Sequence, residues 1–98
     1  MELGERIYNG DLAKQVLENA AYIAAIADNE QEILTQWKQS PARDEAGREK
    51  LWQLLSLLNK LQSTLQATLD TGKLASLELE HKRNLVERGK DAMSAFSR

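Results

Sequence analysis

The sequence predicts an all-α protein. Leu51, Leu54, Leu55, Leu58, Leu61, Leu65 and Leu69 recur at spacings of three and four, which defines one face of an α-helix. Good helix formers dominate the chain, β-branched residues are few, and no window alternates as a half-buried strand does. One proline and five glycines in 98 residues leave room for only a few breaks. The pattern predicts one domain, residues 1–98, in which a long antiparallel helical hairpin precedes a shorter C-terminal helix.

The first predicted helix covers about residues 11–39. Apolar side chains recur at helical spacing from Leu12 to Trp37, and Asp11 is a suitable N-cap. The polar cluster at residues 28–30 is a possible break, but a continuous helix is preferred. Residues 1–10 leave two alternatives open. Either the helix starts near Glu2 and tolerates Gly10, or a short helical arm precedes the main helix.

The second predicted helix covers about residues 44–71 and carries the leucine stripe. Ser40 is a suitable N-cap, Pro41 fits the first helical position, and Asp44 is a second candidate cap. The short link from Gln39 to Asp44 is typical of antiparallel neighbours. Gly72 is expected at the position just after the helix, where glycine is common.

The third predicted helix covers about residues 73–88, and a tail of residues 89–98 follows Gly89. Its pattern is weaker, with Leu74, Leu77, His81 and Leu85 on one face. This helix is expected to cover only part of the leucine stripe. A second copy or another protein is expected to cover the rest, because several exposed leucines at roughly 2 kcal/mol each would be a liability.

Composition excludes several function classes. Without cysteine there is no disulfide framework, thiolate zinc site or cysteine nucleophile. The N-terminal residues do not resemble a signal peptide, and no apolar run is long enough for a membrane span. The chain is therefore expected in the cytosol and not in a membrane. Residues 1–40 carry a net charge of −4 and residues 73–98 carry +2, which indicates pairing within or between subunits.

No catalytic constellation is found in the sequence. His81 is the only histidine, and a helix-contact or surface role is favoured over metal binding because catalytic metals usually take three protein ligands. The glycines are isolated, so there is no phosphate-binding loop. The sequence therefore predicts a protein that is not an enzyme and has no cofactor or metal.

Two sets of residues are candidates for contacts with partners. Trp37 and Trp52 are expected near the loop end of the hairpin, where packing against each other is favoured over service as exposed anchors. The candidate association residues are Trp37, Trp52, Leu54, Leu57, Leu58, Leu61 and Leu65. The candidate phosphate contacts are Lys82, Arg83, Arg88 and Lys90. A solvated helix face is favoured over nucleic-acid binding for this second set, which lacks interleaved aromatic residues.

The segment from Trp37 to Trp52, together with residues 70–75, resembles small helical proteins encoded by tailed bacteriophages and prophages. The shared features are a tryptophan-ended helix, a short Ser/Pro/Asp loop with Arg-Glu, a long helix and a closing Gly-Lys-Leu-Ala. The resemblance covers roughly residues 1–75 and transfers no functional residue. It implies a role in virion assembly or DNA packaging. The broad apolar helix faces predict that the chain forms a homo-oligomer or binds a larger phage or host protein. The alternative is a nucleic-acid-associated packaging or regulatory factor.

Overall fold

The computed structural model describes residues 2–96, and this part of the chain is helical without any strand. The three helices are α1 (Leu3–Leu17), α2 (Ala20–Gln39) and α3 (Glu45–Phe96). Helices α1 and α2 both run antiparallel to α3. Helix α2 lies beside the first part of α3 near the connecting loop, and α1 lies further along α3. The predicted all-α class is confirmed.

The N-terminal half contains a break that the sequence analysis did not predict. Helix α1 ends at Leu17, and Asn19 adopts an extended backbone with φ −70° and ψ 123°. The Asn19 Oδ1 accepts a hydrogen bond from the backbone N–H of Tyr22 at 3.0 Å, so Asn19 caps α2. The predicted single helix of residues 11–39 is therefore wrong, because the capping side chain competes with continuation of the helix.

The other details of this half resolve the open alternatives. Helix α1 begins at Leu3 and passes through Gly10, as the first alternative for residues 1–10 proposed. Asp11 lies inside α1 and is not an N-cap. The polar cluster at residues 28–30 lies inside α2 and does not interrupt it, as preferred.

The predicted break between the first two segments of the hairpin lies at residues 40–44. Of the two candidate caps, Ser40 follows the last residue of α2 and does not start α3. Asp44 caps α3 instead, since its Oδ1 accepts a hydrogen bond from the backbone N–H of Gly47 at 3.1 Å. A turn whose Asp44 N–H donates to the Pro41 carbonyl at 3.0 Å completes the link.

Helix α3 is continuous for 52 residues and spans about 78 Å at 1.5 Å per residue. The predicted helix end at Gly72 is wrong, as are the separate helix of residues 73–88 and the tail beginning at Gly89. Neither glycine has a positive φ, so neither takes the left-handed conformation that ends helices. Of the predicted tail, residues 97 and 98 lie outside the described residues.

Gly72 has a packing role instead, because α1 crosses α3 at Gly10 and Gly72. A Cβ atom added to Gly72 would lie 2.8 Å from the Gly10 Cα and 3.0 Å from the Arg6 carbonyl oxygen. A Cβ atom added to Gly10 would lie 2.8 Å from the Gly72 Cα. Both glycines are buried, and so are Ala13 and Ala75. The two helices therefore meet backbone against backbone through small residues.

One row of α3 residues repeats every seven positions along most of the helix. The row consists of Leu51, Leu58, Leu65, Gly72, Leu79, Val86 and Met93. From residue 51 to residue 79 its members are buried or half-buried, because α1 and α2 cover them. Residues 80–96, here called the C-terminal extension, continue the row beyond α1. All side chains from residue 80 to residue 94 are exposed.

The described residues do not form a conventional core. Ala13 and Ala75 are the buried hydrophobic residues of the described part, and no large side chain there is fully buried. The radius of gyration is 22.8 Å, whereas a compact domain of this length has about 13 Å. The exposed surface is 7894 Å², whereas a compact monomer of 11.1 kDa exposes about 5,700 Å². As a single copy, the molecule leaves apolar surface uncovered.

We expect Gly72→Ala to lower the free energy of unfolding by about 1–3 kcal/mol, since the added methyl group meets backbone atoms that cannot move independently of α1. Chemical denaturation followed by circular dichroism at one protein concentration measures the change. Gly89→Ala is the matched control in the same helix, because a Cβ atom there meets nothing within 4 Å. It should raise stability by up to about 1 kcal/mol through helix propensity. Equal gains at both glycines would contradict the close crossing.

Candidate association surface

An open apolar groove of about 420 Å³ lies between α2 and α3. We call it the leucine groove. Its α3 wall consists of leucines in and beside the row that α1 and α2 cover, and Leu57 is 64% exposed. The lining residues are Asn29, Ile33, Leu54, Leu57, Leu58 and Leu61. Such a groove has the form that accepts the apolar face of another helix.

The same side of α3 continues into a polar groove of about 540 Å³ between α1 and α3. Its lining residues are Arg6, Asn9, Lys60, Ser63, Thr64, Ala67, Thr68 and Thr71. The Thr64 hydroxyl donates to the Lys60 carbonyl at 2.8 Å, and the Thr68 hydroxyl donates to the Thr64 carbonyl at 3.0 Å. This side of α3 therefore changes from apolar to polar between residues 54 and 71.

A smaller pocket of about 230 Å³ lies on the other side of the contact between α2 and α3. It is lined by Ile33, Leu34, Trp37, Leu51, Trp52 and Leu55. Both tryptophans line this one pocket near the loop, yet Trp37 is 42% and Trp52 65% exposed. The structure thus places them together at the loop end and leaves much of each ring on the surface.

Arg48 joins the end of α2 to the start of α3. Its guanidinium carbon lies 4.1 Å from the centroid of the Trp37 ring. Its Nη1 donates to the Ser40 hydroxyl at 2.9 Å and to the carbonyl oxygens of Ser40 and Trp37 at 3.4 Å each. The positive charge therefore lies at the C-terminus of α2, where unpaired carbonyls favour a cation. The ring of Trp37 is held in place by the same side chain.

The five leucines among the seven candidate association residues separate into two groups. Leu54 and Leu61 are about half exposed, and Leu57 is more exposed still, so these three form the open wall of the leucine groove. Leu58 and Leu65 are half-buried because they belong to the row that α1 and α2 cover. The apolar face of α3 is therefore wider than its two neighbours can cover.

The four candidate phosphate contacts are all exposed on the C-terminal extension. At 100° per residue, Lys82, Arg83 and Lys90 fall within an arc of about 100°, whereas Arg88 lies elsewhere on the helix. Lys82 also forms an ion pair with Glu78 at 3.7 Å. Acidic residues interrupt the segment at Glu80, Glu87 and Asp91. The structure therefore brings three of the four cations together, within a segment of mixed charge.

His81 is exposed in the same extension. Within residues 2–96, no three residues of the types that bind metals converge on one point. No helix of this part of the chain is both long and apolar enough to cross a membrane.

No protein-family model, curated protein or solved structure matches this chain. The resemblance to helical phage proteins therefore stays a prediction from the sequence.

Two structural features were missed by sequence reasoning. Arg48 received no role, although an arginine one turn after a helix cap can reach the end of the preceding helix. Gly72 was interpreted as a helix end, although an isolated glycine within a helical pattern often marks close packing. A second isolated glycine, Gly10, in the facing helical segment was the available signal for the crossing.

We expect Arg48→Met to lower the free energy of unfolding by about 1–2 kcal/mol, because the charge-assisted hydrogen bonds and the contact with the Trp37 ring are lost. Arg43→Met is the control, since Arg43 is exposed in the connecting loop. Denaturation followed by tryptophan fluorescence measures both variants. Equal stability of the two variants would show that Arg48 does not secure the junction.

Proposed function

We propose that this chain is a non-enzymatic protein that acts by helix-mediated association, as a structural or assembly component. The observation that supports the proposal is the open leucine groove on a molecule whose described residues form no conventional core. Contiguous exposed apolar surface of this kind is typical of interaction sites. The proposal includes no cofactor or metal.

The energetic argument rests on the open wall of the groove. Burying a leucine side chain stabilises an assembly by roughly 2 kcal/mol, and three leucines at residues 54, 57 and 61 are about half exposed or more. A single copy gains little of this energy. Covering the groove with an apolar helix recovers it, so association is favoured over the isolated chain.

The resemblance of residues 1–75 to phage proteins suggests the setting. We propose virion assembly as the process, with the host cytosol or the virion as the location. The partner is a further copy of the chain or a larger phage or host protein.

We expect Leu57→Glu to weaken self-association by about a hundredfold or more, because each copy loses an apolar contact and gains a charge in the interface. Sedimentation equilibrium over a range of concentrations measures the dissociation constant. Leu57 is exposed in the single chain, so its replacement should leave the helical content unchanged.

Asn59→Glu is the matched control for this substitution. It adds the same charge to an exposed position of α3 that does not line the leucine groove. The control should associate like the unmodified chain. A well-folded monomer at all concentrations, before any substitution, would contradict self-association through this groove.

A nucleic-acid-associated packaging or regulatory role is the second candidate. The observation that favours it is the arc formed by Lys82, Arg83 and Lys90. If these three cations each contact a phosphate, the logarithm of the binding constant should fall with the logarithm of salt concentration with a slope of about −3. Replacing all three by glutamine should abolish that dependence. Absent or salt-insensitive binding of duplex DNA would exclude this role.

A further inference from the structure

The C-terminal extension leaves an apolar row without cover. Val86 is 56% exposed and continues the seven-residue row beyond the reach of α1, and Leu85 beside it is 51% exposed. Within the chain, the corresponding row between residues 51 and 79 is covered by α1 and α2. Covering the apolar row of the extension therefore requires a neighbouring helix of the same kind, and covering the leucine groove also requires a helix.

The two uncovered features match in length. The leucine groove and the polar groove together follow α3 from Leu54 to Thr71, which is about 26 Å at 1.5 Å per residue. Along the two grooves, α3 presents a line of residues at alternating spacings of three and four, which are Leu54, Leu57, Leu61, Thr64, Thr68 and Thr71. The extension, residues 80–96, also spans about 26 Å. One copy thus offers a groove and a helix of equal length.

We propose that the line from residue 54 to residue 71 binds the C-terminal extension of a second copy of this chain, and that the two copies do so reciprocally in an antiparallel dimer. This inference rests on the proposed self-association. When residues 54–71 of one copy are aligned antiparallel to the C-terminal extension of the other over their full length, the two-fold axis lies beside Ala75. Val86 of one copy then lies beside Thr64 of the other, and Leu79 lies beside Thr71.

The charge distribution favours the antiparallel arrangement. Residues 1–40 carry a net charge of −4 and residues 73–98 carry a net charge of +2. The ion pair that the described residues form, between Lys82 and Glu78, lies within α3 and does not join these two segments. In this register the part of the extension around Lys90 lies opposite residue 60 of the other copy's α3, close to α2, which carries Asp28, Glu30 and Glu32. A parallel dimer would instead place Lys82, Arg83 and Lys90 beside their own copies. Like charges in register disfavour that alternative.

The surface area also fits a second copy. The chain exposes about 2,200 Å² more than a compact monomer of its mass. Obligate homodimer interfaces bury about 2,000–5,000 Å² in total, or about 1,000–2,500 Å² on each partner. One reciprocal interface of this class accounts for the excess.

Cysteine cross-linking tests the arrangement, because the chain has no cysteine of its own. Thr64→Cys and Val86→Cys are made as two separate full-length variants, which are mixed, equilibrated and oxidised. The mixture should give at least about tenfold more disulfide-linked dimer than either variant alone, since a disulfide requires Cβ atoms about 4 Å apart. Thr71→Cys with Leu79→Cys tests the same register nearer the axis.

Other outcomes distinguish the proposed antiparallel arrangement from the proposed self-association. Cross-linking of each variant with itself would show a parallel dimer, and cross-linking of Val86→Cys alone would show contact between the two extensions. A chain that sediments as a dimer but gives no mixed disulfide in either pair would exclude the register. Each of these results overturns the arrangement but leaves self-association standing. A monomer in sedimentation overturns both.

Discussion

The crossing of Gly10 over Gly72 is the constraint on which the rest of the structure depends. Because no large side chain is fully buried in the described residues, the close approach of α1 and α3 replaces a conventional core. Close approach brings many backbone atoms into van der Waals contact, each worth little and together worth much. It also explains why α3 continues through a glycine that would otherwise favour a helix end.

The break at Glu18 and Asn19 follows from the same constraint. Helix α1 packs on α3 through glycine and alanine, whereas α2 packs through leucine, isoleucine and tryptophan side chains that hold the two backbones further apart. A straight helix of residues 3–39 would have to satisfy both separations at once. Ending α1 and capping α2 at Asn19 allows each segment to adopt its own distance from α3.

The sequence supported the helical class, the link at residues 40–44 and the apolar face of α3, because each has a periodic or capping signal of its own. The sequence did not distinguish a glycine that ends a helix from a glycine that allows a neighbouring helix to pack closely. The residues around Gly72 in the sequence are compatible with both roles. Asn19 was missed because its capping bond to Tyr22 lacks the acidic partner of a capping box. The groove along Leu57 was predicted only as excess apolar surface, because which side α1 and α2 cover depends on tertiary packing.

The seven-residue row of α3 constrains the shape of any assembly built on it. Seven residues of an ideal α-helix fall about 20° short of two full turns, so the row drifts around a straight helix by about 120° from Leu51 to Met93. A neighbour that stays on the row must wind around α3 in the left-handed sense. Helices α1 and α2 cover the first part of this path, and a helix that continues it over Val86 inherits the same handedness. Any assembly built on this row is therefore expected to be a supercoiled rod rather than a flat layer of parallel helices.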